Sequence, residues 1–418
     1  MQELNLALKY GSIFWKTAVL SEKIGDNGGV AEVVGNMKGL IANPNINLSD
    51  REFRPYEAEN KILYGLLSIN GIGKDVVDVI VNNRPYRDLE DFYKRLVEGN
   101  LITPLQLFTL AKSGALDTLS SKSRRDIMIE LVERITPYKE KLTMSNVSKF
   151  ANNLPSNFTN EKNYYWFRNI YLKKCKKNED NFIAPIEALE WINKNLDIDY
   201  SLGDNELIIP IKPFEKAYKK AIIPLQNWLS TKEAMELYRK ALCRENWNLY
   251  CGGTYESWEM DTIYFYSNRH DLENYDLSKI YRIVDFKTLP ETPIVEGTKT
   301  SKNGKEYNIY KLDTIAGTVV NKNKNKNLVY LLTENGIVPL KFYDAQYKKL
   351  DKKITRGEGK KKIVLDESWF ERGTKLIVTG YRKLDEFIPK KNNFDSPVVK
   401  LIGKDINGLK LQYEKIKE

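Results

Sequence analysis

The chain has 418 residues, with 66 Lys+Arg against 56 Asp+Glu, a formal net charge of +10, and 42% hydrophobic and 29% charged residues. This apolar content is enough for real cores and excludes wholesale disorder, and at roughly 150 residues per domain the length predicts about three domains. The basic balance points to a polyanion partner, nucleic acid before an anionic membrane surface; a merely soluble basic protein is the plain alternative.

His270 is the single histidine, which excludes a zinc site built on several histidines. Cys175, Cys243 and Cys251 are too few and too unevenly spaced for a zinc ribbon or a disulfide framework, so any metal chemistry would have to use carboxylates. No run of about 18 apolar residues is present, so no membrane span is predicted. The start, MQELNLALKYGSIFWKTAVLS, lacks a basic segment followed by an apolar one. No signal peptide is therefore expected, and a reducing, cytoplasmic setting is.

In chain order, Leu4, Ala7, Leu8, Ile13, Phe14, Ala18 and Val19 predict one or two helices interrupted at Gly11, followed by a turn or loop at Asn43-Pro44-Asn45 and Asn47. A helical stretch follows from about Ile62 to Glu133. Residues 146–255 are rich in Asn, Lys, Tyr and Trp. Within them Ser230 to Arg244 reads as a helix capped by Ser230, with Ala234, Leu237, Tyr238, Ala241 and Leu242 on one face. Residues 256–285 read as a connector. Beyond 286 the pattern changes to short β-branched runs, IAGTVV, LVYLLT, IVPLKFY, KIVLD, KLIVTG and VVKLIG, as expected of a small barrel or sandwich. Asn321 to Asn327 reads as a solvated hairpin loop.

The sharpest local signal is LLSINGIGKDVVDVIVNNR, residues 66–84. Gly71 and Gly73 flank Ile72 and permit a tight turn at positive φ. The amides of such a turn, leading directly into a helix, point outward as donors for a phosphate oxygen, and Lys74 adds a charge at the same place. Such a hairpin tracks a DNA backbone without reading bases. By propensity DVVDVIVNN is a strand, but the bend before it and its apolar spacing require a helix. A plain helix–turn–helix with core-facing valines is the structural alternative. LEDFYKRL (89–96) and LITPLQLFTLAKSGALDTL (101–119) form a second, degenerate unit closed by Gly114. Arg124 and Arg125 beyond it are candidates for phosphate contacts, as is Arg84, with a solvated charged face as the alternative.

In the last region Tyr330, Phe342, Tyr343 and Tyr347 lie among Lys322, Lys324, Lys326, Lys341, Lys348 and Lys349, a pattern suited to stacking bases over a basic groove. For any one aromatic, the barrel core is the competing destination. Lys322, Lys324, Tyr330, Lys341 and Tyr343 are the candidate DNA-binding residues here. The cations from Lys352 to Lys362 are expected to touch phosphate or remain mobile, and His270 to cap or hydrogen-bond near Glu273.

Taken together, NPNINLSDREF, ILYGLLSINGIGKDVVDVIVNNR, YRDLEDFYKRL, LAKSGALDTL and SRRDIM, in that order, resemble the region after the catalytic core of the bacterial replicative DNA polymerase III α subunit, a C-family polymerase. WEMDTIYFYSNRHDLENYD (258–276) is similar to the segment before that family's oligonucleotide-binding (OB) domain, although Asp261-Thr262-Ile263 and His270-Asp271 depart from its pattern. Residues 315–350 resemble the OB strands, and LALKYGSIFWKTAVLS the last helices of the fingers. Residues 146–255 resemble nothing recognised.

The resemblance implies a multidomain α+β chain. Residues 1–50 would be an end-of-fingers helical segment, 51–145 a tandem helix-hairpin-helix domain, 146–285 an unassigned mixed block with connector, and 286–418 an OB-like β-barrel. It implies a partner in DNA, duplex at the hairpin and single-stranded at the barrel, with replication as the process and a bacterial or phage-infected cell as the setting. In this family the metal-binding palm aspartates precede everything matched here, so no catalytic residue and no cofactor is expected in this chain. Mg²⁺ would belong to a palm-containing polymerase half on another chain.

Three further readings stay open. Asp197 and Asp199 look superficially like the palm Asp-x-Asp but follow the hairpin rather than precede it; as a pair they would define a carboxylate-metal nuclease. Gln106-Leu107-Phe108 and Gln226-Asn227-Trp228-Leu229 are weak candidates for a sliding-clamp peptide. A free-standing DNA-binding accessory protein is the remaining alternative.

Overall fold

The computed structural model describes residues 12–37, 39–175, 179–267, 269–301, 303–356, 363–391, 396–405 and 408–413. The expectations on Leu4, Ala7, Leu8 and Gly11, and on Lys360 to Lys362, lie outside the described residues. The chain divides into two compact units, one formed by residues up to Met128 and from Gly253 onward, the other by Ile129–Gly252. Among the described residues no helix is long and apolar enough to cross a membrane.

The first unit opens with helices Ser12–Ser21 and Asn27–Gly35. The Asp26 carboxylate accepts from the Gly28 and Gly29 amides and so caps the second. Short strands Ile41–Ala42, Arg54–Tyr56 and Lys61–Leu63 form a small mixed sheet. DVVDVIVNN is helical: the helix runs Lys74–Asn82. Val76, Val77 and Ile80 are buried and Lys74 and Asp75 exposed, so burial of one helical face outweighs β-propensity. Asp88 caps a helix from Leu89, and Thr103 and Gln106 form a reciprocal capping box on Pro104–Lys112.

The C-terminal part of this unit is a closed five-stranded barrel. Its strands are β1 Asp313–Asn323, β2 Leu328–Thr333, β3 Gly336–Lys341, β4 Lys375–Lys383 and β5 Glu386–Pro389. The pairing order is β1-β2-β3-β5-β4, with β4 returning to β1 to close the ring. All pairs are antiparallel except β3–β5, which pair in parallel at Leu340 and Phe387. This is an OB-like Greek-key barrel.

Leu331, Leu340, Val378 and Phe387 fill its centre, and Phe342, Tyr347, Trp369 and Phe370 join that core from the helix Asp344–Leu350 and the segments beside it. Two further strands, β6 Val398–Asp405 and β7 Gly408–Tyr413, extend the sheet from β4. Four of the runs read as strands are β1, β2, β3 and β4, and VVKLIG is β6. KIVLD instead forms Ile363–Asp366 of a separate two-stranded hairpin. The run Asn321–Asn327, expected to be a loop, is one only in part: Asn321–Asn323 complete β1 in register with β2, and residues 324–327 make the turn.

Among the described residues the second unit shows two cores. Phe150, Phe158, Leu225, Leu229 and Tyr238 centre one. The other lies on a four-stranded antiparallel sheet, where Phe182, Leu207 and Ile209 pack with Phe167, Ile192 and Phe214. The predicted helix is present as Lys232–Asn246, but its cap is Thr231 rather than Ser230. The Thr231 hydroxyl accepts from the Ala234 amide, while Glu233 accepts from the Trp228 indole. Two hydroxyl residues in sequence make such a boundary ambiguous by one position.

Closing the ring also requires the β4–β5 pair, which depends on close backbone approach at Gly380. A Cβ there would lie 2.1 Å from the Ile388 carbonyl oxygen, whereas at Gly297 nothing lies within 4 Å. Gly380→Ala should therefore destabilise the protein by about 1–3 kcal/mol, the usual cost of overpacking, and Gly297→Ala should leave the urea midpoint nearly unchanged. Equal midpoints for the two variants would contradict this account of closure.

Candidate nucleic-acid interface

The Gly71–Gly73 bend is built as its composition demands. The Ile72 amide donates to the Ile69 carbonyl at 3.1 Å, and Gly71 takes φ +88° within that turn. Ile72 is buried and holds the turn to the core, while Asn70, Gly71, Gly73, Lys74 and Asp75 are exposed. Gly73 is the N-cap of helix Lys74–Asn82 and offers no side chain to its first amides. Those donors are available to solvent or an anion. Asp75, in the same first turn, stabilises the helix but lowers the positive potential. The bend is tied down from behind, the Asn70 amide donating to Thr262 O at 2.9 Å and its side-chain nitrogen to Asp261 O at 3.0 Å.

The second hairpin is a closed structural joint. Helix Pro104–Lys112 ends in a Schellman motif, with Gly114 at φ +85°, its amide donating to Ala111 O, and the Ala115 amide donating to Leu110 O. Arg124, expected on phosphate, is buried against this end. It pairs with Asp117 at 2.7 Å and with Glu259 at 3.1 Å, donates to Lys112 O at 3.2 Å, and stacks its guanidinium 4.2 Å from the Tyr255 ring centroid. Burial opposes its charge, but the bonds and charge of Asp117 leave it more firmly protonated than usual. Glu259 is pushed above the ordinary carboxylate value by burial, against bonds from Ser267 and the charge of Arg124. Arg124 cannot contact DNA without emptying this pocket. Its neighbour Arg125 is exposed.

Arg84 is also a fastener. It donates to Ile46 O at 2.6 Å and to Ser49 O, clamping the Asn45–Ser49 loop, and partial burial lowers its pKa. Of the candidate lysines on the barrel, two are ion-paired and one is bonded to a backbone carbonyl. Lys322 bridges Asp351 at 2.7 Å and Glu371 at 3.1 Å, Lys324 reaches Asp351 at 3.5 Å, and Lys341 donates to the Lys326 carbonyl. Burial acts to raise the Asp351 pKa, but its bonds to Lys322 and Ser368 hold it below the ordinary value. Phe342 and Tyr347 are core, Tyr330 is half-buried, and Tyr343 is exposed.

The remaining candidates take ordinary places. Asp197 and Asp199 are exposed in an irregular segment. Gln106 serves the Thr103 capping box, and Leu107 and Phe108 are core. Gln226 is exposed, whereas Trp228 packs near Phe158 and Phe150 and Leu229 is buried. The His270 amide donates to Glu273, its Nδ1 accepts from the Leu272 amide, and Nε2 meets Leu332 O, so the ring is the expected cap.

A helix-hairpin-helix motif family model matches residues 40–127. Over 93% of its length the chain is 34% identical to the probable DNA polymerase YorL of Bacillus subtilis (strain 168) and to the DNA-directed DNA polymerase of Bacillus phage SPbeta, covering 32% of each. It is 31% identical over 131 residues to the DNA polymerase III subunit alpha of Borreliella burgdorferi, which is 28% of this chain and 11% of that protein. The chain thus spans about a third of the length of the first two relatives; it is similar to DNA polymerases over nearly all of its length, to polymerase III α over about a quarter of it, and its residues 40–127 match a helix-hairpin-helix motif. Less than a tenth of the chain lies outside the phage-type match, so most of residues 146–255, which resembled nothing in the sequence reading, falls within it.

Arg124→Ala should cost about 3–5 kcal/mol, because it leaves the Glu259 carboxylate buried without its partner. Urea unfolding should show this loss, while DNA affinity measured on the folded fraction stays at the wild-type value.

Proposed function

We propose that this chain is a DNA-gripping portion of a C-family replicative polymerase. It holds the backbone of the duplex at the Gly71–Gly73 bend and the template single strand on the OB-like barrel. Nucleotidyl transfer takes place on palm carboxylates supplied by another chain, with Mg²⁺ bound there. The observation that carries the reading is the exposed, uncapped start of helix Lys74–Asn82 behind a glycine turn, with Lys74 beside it. The similarity of nearly the whole chain to DNA polymerases supplies the process. The net charge of +10 supports a polyanion partner.

Amide donors and one lysine contact phosphate oxygens whatever the base sequence, so this grip positions DNA without selecting it. That suits a replicase, which must hold every sequence equally. Because phosphate contacts release counterions, affinity should fall steeply with salt.

Two measurements test the reading. The purified chain, given primed DNA, nucleotides and Mg²⁺, should extend nothing, and extension should appear when a palm-bearing partner is added. Robust extension by the chain alone would sink the division of labour. In binding titrations Lys74→Glu should weaken duplex binding more than single-strand binding and lower the duplex salt slope by about one. Equal loss on both substrates would remove the hairpin assignment.

A further inference from the structure

The base-stacking surface of an OB-like barrel is ordinarily the outer face of its second and third strands. Here part of that face is occupied by the chain itself. Helix Asn27–Gly35 lies against it: Asn321 donates to Glu32 at 2.7 Å, and the Ile337 amide donates to the Asn36 side-chain oxygen at 3.0 Å. Gly35 sits so close that a Cβ would lie 2.6 Å from Ile337 Cδ1. Lys322 and Lys324, at the adjoining end of β1, are drawn to Asp351. A single strand on this barrel needs another aromatic surface.

One exists around the ends of β3 and β5. The two-stranded hairpin Val295–Thr300 and Glu306–Tyr310 delivers Tyr310 onto Tyr381 of β4, with ring centroids 4.6 Å apart and planes at 42°. The Lys390 ammonium, just past β5, lies 5.3 Å from the Tyr310 centroid. Tyr343, two residues past β3, is 65% exposed. β3 and β5 pair in parallel at Leu340 and Phe387, so Tyr343 leaves β3 at the level where Lys390 leaves β5, next to the part of β4 where Tyr381 pairs with Ile388. Burial, with Tyr343 and then Tyr310 contributing, pushes the Tyr381 phenol up to about 12. Tyr307 on the same hairpin is also exposed. Core packing accounts for Tyr381 but not for an exposed Tyr343 beside two more tyrosines and a lysine.

We propose that Tyr343 and Tyr310, the latter backed by the buried Tyr381, form a stacking platform for unpaired bases of single-stranded DNA, with Lys390 on the adjoining phosphate. Every base has a π-face, so such a platform takes any sequence, and lysine beside the rings supplies the backbone contact. The proposal rests on the reading that this barrel holds single strand, and it says where.

The test uses the full chain and an oligo-dT carrying one 2-aminopurine, whose fluorescence falls on stacking. Tyr343→Ala should weaken single-strand binding roughly tenfold, the scale of one lost stacked base, and abolish part of the quenching. Tyr343→Phe should keep both, and duplex affinity and melting temperature should stay unchanged in either variant. Lys390→Ala should lower the single-strand salt slope by about one, a change Tyr343→Ala should not produce. If the wild type binds oligo-dT and Tyr343→Ala binds it equally well, the platform is wrong while the barrel reading survives. If Phe loses as much as Ala, stacking is not the interaction. If the wild type binds no single strand, both the platform and the barrel reading fall.

Discussion

The buried pair of Arg124 and Glu259 is the joint on which the first unit depends. Glu259 belongs to helix Tyr255–Thr262, which the chain reaches only after residues 129–252, yet it meets a guanidinium from the end of the hairpin region. The two charges are tolerable inside because neither is alone: Asp117 and Lys112 O complete the guanidinium, and Ser267 completes the carboxylate. The same returning segment carries the other attachments. Thr262 and Asp261 accept from Asn70, Ile263 accepts from the Tyr64 hydroxyl at 3.1 Å, and Tyr266 meets Thr318 of the barrel at 3.0 Å. One short stretch of chain therefore fastens the first hairpin, the second hairpin and the barrel.

This arrangement gives the two glycine units different work, although their sequences look alike. In the first, the apolar side chain between the glycines anchors inward and the amides face out, which leaves a surface suited to a phosphate backbone. In the second, Gly114 ends a helix whose carbonyl end is occupied by the Arg124 guanidinium, so donors and acceptors there are consumed internally. A positive charge near a helix C-terminus is stabilising, and that is where this arginine is used.

Charge on the barrel follows the same economy. Lysines dense in sequence are paired by Asp351, Glu371, Asp344 and Glu367, residues that approach them by folding or along a helix turn. Lys322, held by the largely buried Asp351 carboxylate, contributes little field to solvent, whereas Lys324 and Lys348 stay largely exposed. Tyr343, just past β3, is exposed and is not consumed in this way.

What was legible in the sequence was whatever local geometry dictates. Two glycines around an isoleucine specify a tight bend, valines at helical spacing specify a buried face despite their β-propensity, and short β-branched runs between Asn, Lys and Gly specify strands. These are nearest-neighbour constraints, and the helix Lys74–Asn82, the exposed bend and most barrel strands follow from them. The ordered motifs also pointed to the polymerase III α resemblance. The fate of individual charges was not legible, because it depends on partners far along the chain. Arg124 is neutralised 135 residues away, Arg84 is spent on the Asn45–Ser49 loop, and Lys322 is held by Asp351. Nor could spacing reveal that Asn27–Gly35 would cover part of the barrel, or that Tyr310 would pack on Tyr381. Backbone turns are decided by a few residues in a row. Desolvation and pairing are decided only when distant segments close around a side chain.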